Sequence, residues 1–438
     1  MTYTQELDYC FASAIGDEGI PENDFAAALK RHAGAIAASL SLKNPASRLR
    51  AIHRAAADIS ALENIAQTGR EISAQFRHLV ILGTGGSSLS AQAVSALTAL
   101  ERQHPGKRGI TLHYIENIDP HTMRCMLDNL DYAQTLFIAV SKSGGTLETL
   151  SQFSLCLEAV EKKLGKTAIP QHFMIITDSK DSVLRRAGAA LGVKVLDSTP
   201  EIGGRYSLLT NVGLLPAAAA GMDVVAICRG AVAMLERTFA SAPENNAPLM
   251  GALVNILLME RGVHAAVFMP YADRLGAFIS WHCQLWAESI GKKGRGIVPI
   301  KAAGTQDQHS QLQLYLDGSH DKFFTLFAVR NQEPGQVLSA TFFDEPSMHY
   351  ARGRTLGTAL EICERATREA LAKRGRPVRR FFLEKLDEET FGALAMHFML
   401  ETIITAELLG VDPFDTSAVE EGKVIARGYL NASPLVTR

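Results

Sequence analysis

Short apolar runs alternate along the chain with stretches whose apolar residues recur at helical spacing. His78–Leu82 reads as a buried strand running into Gly83-Thr84-Gly85-Gly86, with a helix starting near Ser88. Further strands are predicted at Thr111–Ile115, Thr135–Val140 and Phe173–Thr177, with a last short one near Val193–Leu196. Past Val140, Leu150, Phe153, Leu157, Val160 and Leu164 fall on one face of a helix. Short strands separated by helices of this length predict βαβ units and a parallel sheet. The pattern repeats from Ala265–Met269, through Phe323–Val329, to Arg379–Leu383. Residues 1–70 read as a mostly helical arm, and Leu214–Asp223, with Pro216 and Gly221, as a crossover between lobes. The predicted fold class is α/β: the arm (1–70), a parallel-sheet domain over 71–222, a second over 223–410, and a tail over 411–438.

Length agrees with this division, since 438 residues exceed one compact core. A net charge of −2 gives no electrostatic case for a nucleic-acid partner. The six cysteines lie far apart without a CxxC pair, which argues against a zinc site or a disulfide framework and fits a reducing compartment. The opening MTYTQELDYC lacks the basic-then-apolar order of a signal peptide, so a cytoplasmic protein is expected. Phe391–Val411 is the most membrane-like segment, but it contains His397, Glu401 and Glu407 and reads as a buried helix. No membrane partner is expected.

The candidate chemistry starts at two glycine- and hydroxyl-rich stretches. Ser141-Lys142-Ser143-Gly144-Gly145-Thr146 follows a predicted strand and opens a helix, and Gly83–Ser88 has the same construction without a lysine. Ligands of open parallel sheets bind beyond the carboxyl ends of the strands. Helix-start N–H groups favour an anion there, glycines allow close approach, and hydroxyls add donors. A phosphate is the natural guest. Neither loop matches GxxxxGK[ST], and GTGGSS lacks the last glycine of GxGxxG, so a small phosphate ester is expected rather than a nucleotide.

The ordered motifs ILGTGGSSL, SKSGGTLET, GGRYSLLTNVGLLP, QLWAESIGKKGRG, GTQDQHSQLQLYLDG and DPFDTSAVEEGK span Leu79 to Lys423. Together they resemble phosphoglucose isomerase, in its compact bacterial form. The resemblance implies two sugar-isomerase domains, each a parallel sheet flanked by helices. It also implies interconversion of glucose 6-phosphate and fructose 6-phosphate in glycolysis and gluconeogenesis, with no cofactor, and a homodimer with shared sites. It assigns Gly86, Ser87, Ser141, Lys142, Ser143 and Thr146 to the substrate, chiefly its phosphate. Gly204 and Arg205 would lie at the C1–C2 end of the opened sugar, the arginine steadying enediolate oxygens. Gln284 would contact substrate, and Glu288 would be the base. His309 matches the histidine for ring opening that reaches in from the partner, and Lys423 the lysine near the ring oxygen. The sequence departs from the family at Thr416, where glutamine is usual, and at Gly145, where threonine is frequent.

The chemistry agrees with these assignments. Moving a carbonyl from C1 to C2 takes one base that removes a proton from one carbon and returns it to the next, and a partly desolvated carboxylate suits it. The enediolate needs a fixed positive group, which arginine supplies without risk of deprotonation. No metal is required, and the HExxH and paired-acid patterns of metal-dependent isomerases are absent. Pattern alone would make Glu288 a solvated glutamate, Arg205 an ion-pair residue, His309 a structural histidine and Lys423 a surface lysine. Two rival classes share these domains. A non-catalytic sugar-phosphate sensor would not need Glu288, Arg205, His309 and Lys423. A glutamine-dependent amino-sugar isomerase would need an N-terminal Cys nucleophile, whereas Cys10 is expected on a polar helical arm. Dual glucose and mannose phosphate isomerisation stays open.

Overall fold

The computed structural model describes residues 3–44, 47–98, 109–330, 335–339, 345–416 and 418–432. Among them lie strands β1 (Tyr3–Glu6), β2 (His78–Leu82), β3 (Thr111–Ile115), β4 (Thr135–Val140), β5 (Phe173–Thr177), β6 (Lys194–Asp197), β7 (Ala265–Pro270), β8 (Val298–Lys301), β9 (Lys322–Val329) and β10 (Val378–Leu383). They form two five-stranded sheets. The first, in the order β3-β2-β4-β5-β6, is parallel throughout. The second runs β1-β10-β9-β7-β8 and is parallel except at β1, which pairs antiparallel with β10. In each sheet the chain lays one strand, adds the next on one side, then returns to the other side of the first. In the first sheet that reversal falls between β2 and β4, where Leu82 lies opposite Ala139. The loops Gly83–Ser88 and Ser141–Thr146 therefore leave from adjoining carboxyl ends at the reversal point, the place where open sheets take ligands.

Four expected strands, β2 to β5, have the observed bounds, and the bounds of the other expected strands differ by no more than one residue. Two strands had no reading. β1 draws part of the predicted helical arm into the second sheet, with Tyr3 buried against the core. β8 is an edge strand carrying Pro299, a residue that a sequence reading takes as evidence against a strand. The expected crossover Leu214–Asp223 takes the form of a helix end and a turn: Asn211–Ala219, with Pro216 inside it, is a buried helix packed on Ile59–Gln75 and Gly86–Ser95, and the next helix, Val224–Ala240, packs on Glu388–Leu409. Cys10 is corrected too. It ends the 3-10 turn Asp8–Cys10 fully buried, its Sγ 3.5 Å from the Val378 carbonyl, and burial pushes its thiol up to about 12.

Helix Glu388–Leu409 is the one described helix long and apolar enough to cross a membrane, and most of it is buried inside the fold. It packs on Val224–Ala240 so closely that a Cβ at Gly392 would stand 1.8 Å from the Ile227 carbonyl oxygen. Its buried Glu401 is answered from β10: Arg379 Nη1 lies 2.8 Å from both carboxylate oxygens. His397 Nε2 and Asn255 Nδ2 add contacts at 3.0 and 2.9 Å. Burial acts to raise the Glu401 pKa, but the Arg379 charge and the His397 hydrogen bond prevail and bring it to about 2. A depressed carboxylate gives stability that is complete above its unfolded value of about 4.3 and is lost as pH falls through about 2. Glu401→Gln leaves Arg379 buried without a counter-charge and should cost roughly 3–5 kcal/mol. Urea unfolding checks this, and a loss below about 1 kcal/mol would mean that the pair contributes little.

Candidate active site

The second hydroxyl loop is built around Thr146. It occupies the N-cap position of the 18-residue helix Leu147–Leu164, yet its hydroxyl makes no cap bond. Thr146 Oγ1 turns instead to Ser141 Oγ at 2.9 Å and Ser143 Oγ at 3.5 Å, and the Gly145 N–H donates to Ser143 Oγ at 3.3 Å. Three hydroxyls thus gather at the positive end of a long helix. Lys142 faces elsewhere: its Nζ donates to the carbonyls of Pro200 and Ile202 at 2.7 and 2.8 Å, and burial lowers its pKa. Its ammonium ties this loop to the segment before Gly204. Ser87, half-buried, opens helix Gly86–Ser95, where a Cβ on Gly86 would lie 2.3 Å from both the carbonyl carbon and oxygen of Gly204. Ser207 Oγ bonds the Gly204 carbonyl at 2.6 Å and meets Ser90 Oγ at 3.3 Å, which joins that helix to the turn Gly204–Leu209.

That turn delivers Arg205, whose side chain is only 4% exposed. Its Nε donates to Ser289 Oγ at 2.9 Å and its Nη2 to the carbonyls of Pro413 and Asp415 at 2.5 and 3.1 Å. Its Nη1 reaches Glu288 Oε2 at 3.1 Å. Glu288 Oε1 accepts from Gln284 Nε2 at 2.8 Å, one helical turn earlier. The helix Gly276–Ile290 follows β7 and buries Phe278, Ile279, Leu285, Trp286 and Ile290, as its apolar pattern implies. Trp281 Nε1 donates to the Arg205 carbonyl at 3.0 Å, so the helix fixes the arginine's backbone as well as its side chain. The opposite face carries Glu288, whose side chain is 31% exposed.

His309 and Lys423 stand apart from this group. Asp307 caps its own turn through the Ala303 N–H at 2.7 Å, and Gln308 Nε2 bonds Tyr271 Oη at 2.7 Å. Between these inward anchors and an exposed Ser310, His309 is displayed to solvent. Lys423 lies on helix Ala418–Ala432, which has no buried residue, and its Nζ pairs with Glu420 at 2.6 Å. Among the described residues no hydrogen bond or ion pair joins either of them to Arg205 or Glu288. No group of three or more His, Cys, Asp or Glu among the described residues is placed to hold a metal ion.

The sequence profile described as phosphoglucose isomerase matches residues 44–433. The chain belongs to the phosphoglucose isomerase family. It is 36% identical over 374 residues to the glucose-6-phosphate isomerase of Carboxydothermus hydrogenoformans, covering 83% of this chain and 80% of that one. The glucose-6-phosphate isomerase of Thermus thermophilus is 35% identical over 367 residues, with 82% and 85% covered. Among solved structures, a hypothetical protein from Thermus thermophilus superposes with a TM-score of 0.84 at 31% identity, covering 98% of this chain and 99% of the other. A glucose-6-phosphate isomerase from Chlamydia trachomatis shares the fold, with a TM-score of 0.72 at 23% identity over 85% of this chain and 73% of that one.

Within the phosphoglucose isomerase motifs, the structure adds residues that the sequence reading passed over. Ser289, Tyr206 and the carbonyls of Pro413 and Asp415 hold Arg205 in place. Backbone carbonyls leave no mark in sequence, but Tyr206 and Ser289 each adjoin a residue already singled out. The contact between Gly86 and Gly204 gives a direct test. Gly86→Ala pushes two backbone segments apart, which should cost about 1–3 kcal/mol and at least tenfold in activity. Steady-state kinetics with a thermal melt check it; unchanged values for both would mean that the two segments can separate freely.

Proposed function

We propose that the chain interconverts glucose 6-phosphate and fructose 6-phosphate by ring opening and proton transfer through an enediolate. What carries the reading is the Arg205–Glu288 contact of 3.1 Å, buried at the arginine and partly exposed at the glutamate. Arg205 has five N–H donors, and four have partners in the chain: one at Nε, two at Nη2 and one at Nη1. The remaining Nη1 N–H is left for an oxyanion that forms at C1 or C2. Glu288 is the base. Each of its oxygens accepts one hydrogen bond and keeps a lone pair for the migrating proton. Gln284 Oε1, buried without a hydrogen-bond partner, is an acceptor available to a sugar hydroxyl.

The phosphate is held by Ser87, Ser141, Ser143 and Thr146 at the sheet reversal, with Lys142 bracing the loop and Gly86 and Gly204 giving close backbone approach. In this reading the active unit is a cytoplasmic homodimer. His309, exposed here, serves ring opening in the site of a second copy, and Lys423 joins a site when the tail helix docks. Exposed Leu314, Leu356 and Leu360, on helices that follow the His309 loop in the second domain, supply apolar surface for that contact. Thr416 is half-buried next to Asp415, whose carbonyl holds Arg205, so a water can take the place of the missing glutamine amide.

The test is subunit mixing, assayed by conversion of fructose 6-phosphate to glucose 6-phosphate. Wild type should be active, and Glu288→Gln and His309→Ala should each lose roughly 10²–10⁴-fold in kcat. A mixture should recover part of the activity after exchange, because one of the two sites in each heterodimer is then intact. Proven heterodimers that stay inactive would mean that each site is built from one chain.

A further inference from the structure

The geometry points to Ser289 as a positioning residue for the isomerisation, acting through Arg205. The inference rests on the reading of Arg205 and Glu288 given above and assigns a role to the residue after the base. Ser289 is fully buried. Its Oγ accepts from Arg205 Nε at 2.9 Å and lies 3.1 Å from Tyr206 Oη. Consecutive helical residues point about 100° apart, so Glu288 and Ser289 grip one guanidinium from two sides. Glu288 meets Nη1 and Ser289 meets Nε.

That arrangement fixes the cation relative to the base. A guanidinium is planar and rigid, so holding Nε and one Nη group to a single helical turn sets the plane of the other N–H bonds. The carbonyls of Pro413 and Asp415 hold the far edge, at Nη2. If Ser289 loses its oxygen, Nε is buried without a partner and the plane is free to tilt, while Glu288, Gln284 and the phosphate loops remain. Tyr206 Oη, fully buried and with its pKa pushed up to about 12 by burial, stays protonated and holds the serine hydroxyl in one orientation. The interaction is with the group that faces the enediolate. Its loss should therefore weaken the transition state more than the bound sugar.

The experiment compares Ser289→Ala with wild type using two inhibitors. One is a phosphorylated hydroxamate, planar and anionic like an enediolate; the other is an open-chain sugar-alcohol phosphate with neither property. A lost hydrogen bond to a charged group corresponds to a kcat fall of roughly 10- to 100-fold with KM changed by less than about threefold. Hydroxamate binding should weaken by a similar factor and sugar-alcohol binding should not. Tyr206→Phe, which keeps the ring and the Arg205–Ser289 contact, should give the same pattern at smaller size. Unchanged kcat in both variants, or equal loss of both inhibitors, would overturn the proposal. Arg205→Lys separates the two levels of the account. Should it keep the preference for the hydroxamate, the reading of Arg205 fails and the role of Ser289 with it. Should Arg205→Lys lose that preference while both variants keep it, only the role of Ser289 fails.

Discussion

A guanidinium taken almost wholly out of water must be answered by hydrogen bonds, and Arg205 is the group on which the site depends. Its partners come from two distant stretches: Glu288 and Ser289 on the helix after β7, and the carbonyls of Pro413 and Asp415 past the end of helix Glu388–Leu409. The arginine follows the last strand of the first sheet, β6, and every partner lies past β7 of the second. Desolvating the charge is unfavourable unless all of these segments dock together. Docking of these segments and placement of Glu288 beside Arg205 are then one event. The glutamate is held beside the cation by the interaction that joins the segments.

The docking is made rigid by close backbone contact and by charge at helix ends. Gly86 leaves no room for a Cβ against Gly204, so the phosphate-loop helix and the Arg205 turn move as one body. At the far side, the loop after the Glu288 helix sends Arg295 Nη1 to the Leu409 carbonyl at 2.6 Å, Lys293 Nζ to Gly410 at 3.3 Å and Lys292 Nζ to Asp412. Three cations meet the carbonyl end of helix Glu388–Leu409, where the macrodipole favours them. They hold the residues directly before Pro413 and Asp415. Behind this, the Arg379–Glu401 pair satisfies the one carboxylate buried in the core of that helix.

Much of this was legible in the sequence, for reasons that differ between elements. Strands β2, β4 and β5 are apolar runs covered on both faces and bounded by turn residues, so their limits coincide with the pattern. β1 and β8, four residues each at sheet edges, carry no periodicity strong enough to read, and their state is set by the strand they pair with. The hydroxyl loops were visible as composition, but the direction of the Lys142 ammonium was not, because it depends on carbonyls of a loop some sixty residues later. Glu288 was a surface glutamate by pattern and a cleft residue by motif. The fold reconciles the two: its helix buries one face, and Arg205 covers part of the other. Lys423 and His309 were found by motif alone, and in the single chain both are solvent-facing.

The central claim is that Glu288, held against Arg205, removes the proton at C2 and delivers it to C1. Hydrogen exchange at that carbon reads this step apart from ring opening and product release. With glucose 6-phosphate in deuterated water, wild type should incorporate deuterium at C2, because the enediolate forms and the base exchanges with solvent. Glu288→Gln keeps the shape and the hydrogen-bonding end of the side chain but cannot take the proton, so exchange should fall to background while sugar phosphate still binds. Exchange in Glu288→Gln at near the wild-type rate would place the base elsewhere and contradict the account.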